Sequence, residues 1–197
     1  MKIRIFVLIV IAAVVVPAIV AYSIVRRGLS AHDEPSRIET VVARAMRHWA
    51  TPAAMRARAN PVQVTRAVLD GALDHFADHC ATCHANNGGG DTPIGRNLYP
   101  RAPDMRAAAT QSLTDGELFS IIEHGVRLTG MPAWSDGTPE GERESWALVH
   151  FIRYLPKLTP EELARMESLN PKPPSDSKEP DMPPAPHHHD RRGEKKR

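Results

Sequence analysis

The segment HCATCHA, residues 79–85, packs two thiols and an imidazole into a single short run. Cys80 and Cys83 are the only cysteines among 197 residues, and His84 follows the second directly. A disulfide across two intervening residues closes a very small loop and constrains the unfolded chain little. A dithiol redox pair wants C-x-x-C after a strand, at a helix N-terminus, where a thiolate is stabilised; here the pair follows a helical pattern. Zinc asks for four ligands, and no second Cys or His pair has suitable spacing. The pattern is short enough to arise by chance. Its best match is C-x-x-C-H, the attachment pattern of c-type haem. Two thiols on one face of a helical turn add to two vinyl groups on one porphyrin edge. The adjacent imidazole of His84 then reaches the iron from one side.

The other side of that iron needs a ligand unless the site is open. Met131, in RLTGMPAW, is the leading candidate. Methionine is usually core filler, and the chain has seven. Met131 differs in context, because Gly130 and Pro132 fix a turn after a capped helix. Met46, Met55 and Met105 lack such a setting, and Met166 and Met182 lie in or beside the C-terminal tail. His124 and His150 are the alternatives. His79 points off the other side of its helix and is read as a surface residue, and His48 as a polar-face residue.

The elements that must hold these groups are helical. TRAVLDGALDHFADHCATCHA carries Val68, Leu69, Ala72, Leu73 and Phe76 on one face. This predicts a helix over about 65–82 that delivers both cysteines and His84 at its C-terminal end. Residues 85–111, with Gly88–Gly90, Pro93, Pro100 and Pro103, read as loop with one helical turn near 104–109. Thr114 to Glu117 form a capping box that opens a helix of about 115–124, stopped by Gly125. Thr138 as N-cap and Pro139 at the first helical position open another, running to Leu155 and burying Trp146, Val149 and Ile152. Thr159 to Glu162 repeat the signal for a short helix ending near Asn170.

Upstream, Ile38, Val41, Val42, Ala45, Met46 and Trp49 mark an amphipathic helix over 36–49 that packs on the domain or lies near a membrane surface. Residues 50–61, ATPAAMRARANP, read as a connector. Ile5 to Val25 carries no charge, and as a helix it spans roughly 30 Å, the thickness of bilayer hydrocarbon. A cleaved signal peptide has a shorter apolar stretch and a small-x-small site; Ile19-Val20-Ala21 is a poor one. An uncleaved anchor is the better reading. Lys2 and Arg4 against Arg26 and Arg27, the latter diluted by Asp33 and Glu34, place the N-terminus inside. Residues beyond 171 are Pro-rich and polar and read as disordered. His187–His189 could bind a transition metal, although a solvated tail is the simpler reading. The organisation is therefore 1–28 anchor, 29–64 amphipathic helix and connector, 65–170 domain, 171–197 tail. Net charge of +2 gives no global case for nucleic acid. At 5% aromatics the core is thin, and a large apolar cofactor would help to fill it.

With CxxCH, LYPRAPD and GVRLTGMPAW in order, residues 65–156 resemble class I monohaem c-type cytochromes of the membrane-anchored bacterial kind. The resemblance implies an all-α domain wrapped around one covalently attached haem c. Cys80 and Cys83 would be its thioethers, His84 and Met131 its axial ligands. Phe76 matches the family's aromatic before the motif. Ala72, beside Gly71, matches its small residue at the helix crossing, and Phe151 and Tyr154 match the positions that pack on the first helix. Arg96, Tyr99, Arg101 and Trp134 become candidate haem surroundings. Mitochondrial-type members carry a proline whose carbonyl receives the ligand histidine's N–H. Arg96 stands there, so Pro93, Pro100 or another carbonyl must serve. The implied role is not enzymatic. It is single-electron transfer between respiratory or dehydrogenase partners on the periplasmic side of a bacterial inner membrane, with redox proteins as partners and no small-molecule substrate. The alternative is a haem enzyme or gas sensor, peroxidase-like, whose sixth ligand is displaceable.

Overall fold

The computed structural model describes residues 2–28 and 30–171; Met182 and His187–His189, with the rest of the tail, lie outside them. Every regular element among these residues is helical. Helix α1 (Lys2–Arg27) is long and apolar enough to cross a membrane, and none of its span is buried against the rest of the chain. Helix α2 (Arg37–Ala50) begins at Ser36, whose hydroxyl accepts from the Glu39 N–H.

The region read as a connector holds the short helix α3 (Ala53–Arg56) and does structural work. The Arg58 guanidinium lies over the rings of Phe119 and Trp146, at 5.5 and 5.2 Å from their centroids. Asn60 Nδ2 donates to the Trp146 carbonyl at 2.8 Å. These are contacts across the fold, so no local pattern announces them.

Helix α4 (Arg66–His75) starts at the Thr65 cap and continues without a break through a wide π turn (Phe76–Cys80) into α5 (Ala81–His84). One axis thus runs two residues past the predicted end. The wide turn closes with the Ala81 N–H on the Phe76 carbonyl. An extra residue in a turn rotates everything after it by about 100°, the arc one residue covers. Ala72, Leu73, Phe76 and Ala77 above the turn, and Ala81 and His84 below it, all end up buried.

Two short helices lie in the following loop, α6 (Pro93–Arg96) and α7 (Ala108–Gln111). The single turn expected near 104–109 falls later, and α6 is an addition, capped by Thr92 with Pro93 at its start. Helix α8 (Asp115–His124) has the full capping box of Thr114 and Glu117. Helix α9 (Pro139–Tyr154) starts at Thr138 and passes into a 3-10 turn (Leu155–Lys157). Helix α10 (Pro160–Leu169) carries a second capping box, Thr159 with Glu162.

The core forms where α4 meets α9. Ala72 is 3% exposed and allows close approach. Phe76 then meets Phe151 with centroids 5.1 Å apart. Gly71 faces open space, so Ala72 alone is the small residue of the crossing. Helix α8 joins through Phe119, stacked on Trp146 at 4.1 Å. Helix α10 closes the far side with Met166, fully buried.

Candidate haem site

The motif sits at the end of the α4–α5 axis, beyond the π turn. Cys80 and Cys83 are half-buried free thiols. Burial, and then proximity to Cys83, pushes the Cys80 thiol up to about 12; burial also raises Cys83. A dithiol redox pair would show the opposite shift at the opposite end of a helix. Among the described residues no group of three or more His, Cys, Asp and Glu gathers as a metal cage, so a zinc tetrahedron is not assembled there.

His84 is buried, and burial pushes its pKa down to about 4, against the pull of the Pro103 carbonyl. The ring is therefore a neutral ligand-type imidazole at physiological pH. Its Nδ1 has no hydrogen-bond partner, although the Pro103 carbonyl acts on the ring. The Pro93 carbonyl, one of the acceptors considered above, is taken by Asn97 Nδ2 at 2.9 Å. An orphaned buried nitrogen on a neutral imidazole, beside two neutral thiols one turn apart, fits a histidine ligand of haem c.

The loop after His84 folds back onto the helix end. The Gly90 N–H donates to the His84 carbonyl at 2.8 Å, and Thr92 Oγ1 donates to the Thr82 carbonyl at 2.8 Å. The Met105 N–H reaches the Gly88 carbonyl at 2.8 Å, and the Ala102 N–H reaches Gly95 at 3.0 Å. A Cβ on Gly95 would strike the Cys83 and Gly90 carbonyls, which is why the loop can lie so close. Met105, among the methionines set aside, is buried under this loop.

Met131 lies in a turn built off the end of α8. Gly125 ends the helix at φ 63°. The Val126 N–H then donates to the Met131 carbonyl at 3.1 Å, and the Met131 N–H donates to Thr129 Oγ1 at 3.1 Å. The Trp134 N–H returns to the Ile122 carbonyl at 3.1 Å. Gly130 packs on Leu98 of the loop that wraps the motif. Trp134 meets the His79 ring edge-on at 5.5 Å. These two contacts set the methionine turn against both the motif helix and its loop. The non-glycine residues at positive φ among the described ones are Ala85 (59°) and Leu128 (64°). One directly follows His84 and the other belongs to the Met131 turn, and strain of this kind collects at functional sites.

The remaining candidates have other partners. Arg96 Nη1 pairs with Asp91 at 2.5 Å. The Tyr99 hydroxyl donates to Glu39 at 2.6 Å, and Arg101 lies 3.5 Å from Glu34, so both turn towards α2 and its approach. Trp134 borders the motif through His79. His150 Nε2 is spent on the Val62 carbonyl at 2.7 Å, and His124 Nδ1 faces its own helix at the Ser120 carbonyl, 3.0 Å away. His48 is more than a polar-face residue: its Nδ1 lies 2.8 Å from Glu117 of the α8 capping box. His79 is exposed, as read. Two shallow grooves, one near Gly71 and His75 and one near Ala85 and Leu163, are lined by none of Cys80, Cys83 and Met131. The sequence reading missed Pro103, Thr92 and Leu98. Pro103 carried a signal as one of several prolines in the loop, and Thr92 as the Thr-Pro pair that opens α6.

Residues 67–152 match the family model described as cytochrome c oxidase, cbb3-type, subunit III. A search of the curated proteins finds no match.

Proposed function

We propose that the chain is a membrane-tethered electron carrier that binds one haem c covalently, supported by the match of residues 67–152 to a c-type cytochrome family. The carrying observation is His84: buried, neutral, with an orphaned Nδ1, one residue after the second of two half-buried thiols. When bound, the haem supplies a one-electron couple. Cys80 and Cys83 hold it by thioether bonds. His84 would be its histidine ligand, with the Pro103 carbonyl beside the ring to polarise it. Met131 is the sixth ligand. Support for it comes from its hydrogen-bonded turn and from the engagement of His124 and His150 elsewhere.

With His84 and Met131 both holding the iron, the site would pass electrons and leave no position for a substrate, so the role proposed is not enzymatic. Helix α1 anchors the chain with its N-terminus in the cytoplasm, and the domain faces the periplasm of a bacterial inner membrane. Tethering raises its effective concentration near membrane redox partners. The matched family's description points to respiratory complexes as the partner class.

The test is the absorption spectrum of the purified oxidised holoprotein. We expect a methionine-to-iron charge-transfer band that vanishes in Met131→Ala, and haem that survives denaturation in the wild type but not in Cys80→Ser with Cys83→Ser. Absence of the band, together with ready carbon monoxide binding to the reduced wild type, overturns the carrier reading in favour of an enzyme or sensor.

A further inference from the structure

Helix α2 is amphipathic in an inverted sense. Its polar side is the one that meets the domain. Thr40 and Arg47 are half-buried on that side. Glu39 on one flank accepts from Tyr99, and His48 on the other meets Glu117. Arg56 Nη1 ties the C-terminal end by donating to the His48 and Thr51 carbonyls. At 3.6 residues per turn, the apolar residues fall on the opposite side of the helix. They are Ile38, Val41, Val42, Met46 and Trp49, between 49% and 78% exposed. An outward stripe of large apolar side chains on a helix already seated by its polar face needs a second environment.

We infer that α2 lies in the surface of the lipid bilayer, apolar face down, and so fixes how the domain is seated above the membrane. The chain itself points to lipid as the occupant. Residues 28–36 join α2 to α1, and even fully extended they reach at most roughly 35 Å, so α2 stays close to where the apolar helix ends. Trp49 closes the far end of the stripe, a residue type favoured at the level of the headgroups. The inference rests on the proposed anchoring of α1 and is independent of the haem assignment.

The full-length holoprotein in phosphatidylethanolamine–phosphatidylglycerol vesicles tests it. A nitroxide is placed at Val42→Cys, Met46→Cys, Arg44→Cys or Val14→Cys, one at a time, and its collision rates with oxygen and with a water-soluble nickel chelate are compared. We expect the oxygen-to-nickel ratio at positions 42 and 46 to exceed that at position 44 several-fold, with depths shallower than position 14. Equal ratios at 42, 44 and 46 overturn the inference, because the stripe then faces water. Exclusion of both reagents at 42 and 46 overturns it too, because a second copy of the chain then covers the stripe. The label at position 14 judges the anchor separately. The unsubstituted holoprotein should take up no nitroxide; uptake would count against thioether attachment and leave the α2 result standing.

Discussion

Gly125 holds φ 63° and ψ −166°, a conformation that side chains resist, and a Cβ there would meet the Met131 carbonyl and Pro132. A single methyl group therefore acts directly on the turn that carries Met131, the proposed sixth ligand. Gly125→Ala should cost about 1–3 kcal/mol and weaken the methionine charge-transfer band, with the covalent haem intact. A visible spectrum and a denaturant melt of the same holoprotein check both. Loss of stability with an unchanged band would separate the turn from the ligand. At this scale the sequence was partly legible. Cys80, Cys83 and His84 stand out because attachment demands adjacency. Met131 stands out because glycine and proline bracket it. Pro103 does not stand out. Its carbonyl comes to His84 through hydrogen bonds such as Met105 to Gly88, which join distant parts of one loop.

Helix α8 shows how an element's end can serve two purposes. Burial pushes the Glu117 carboxyl up, but the Thr114 backbone N–H, the His48 ring and the Thr114 hydroxyl together outweigh it and hold the pKa below the usual 4.5. The folded state therefore prefers the ionised form. That stabilisation is fully present above the unfolded carboxyl's value and is lost as pH falls through the lower folded value. Glu117→Gln should flatten the acid limb of the holoprotein's stability curve, measured by denaturant melts from pH 7 downwards. The same limb in wild type and variant would remove Glu117 from the account. The starts of α8, α9 and α10 could be read in advance, because an N-cap is a local hydrogen bond written in a few consecutive residues. The π turn at Phe76–Cys80 could not be read, because apolar residues on both sides of it still approximate a helical period. Helix α6 was hidden in a run of glycine and proline that reads as loop on composition alone.

Across the whole molecule, packing outweighs surface charge in holding the ends together. Helix α10 is tied to α4 by Arg165 to Asp74 at 2.6 Å and by Arg66 to Glu162 at 3.0 Å, and it also buries Met166 completely. The exposed Arg165–Asp74 pair contributes under about 1 kcal/mol. Emptying a buried methionine site costs about 2–5 kcal/mol. Met166→Ala should therefore lower the unfolding midpoint of the holoprotein well below that of Arg165→Ala; the reverse order would make α10 an electrostatic latch. The all-helical class was legible from caps and periodicity, and the docking of α2 by its polar side was not, since an apolar stripe alone suggests the contrary. That docking has a kinetic consequence. Glu39 and Glu34 hold α2 and its approach to Tyr99 and Arg101 of the loop that wraps His84. With α2 lying in lipid, the domain cannot roll freely above the membrane. One rim of it stays turned to its lateral neighbours, so partner encounters follow crowding in the membrane plane rather than concentration in the surrounding fluid.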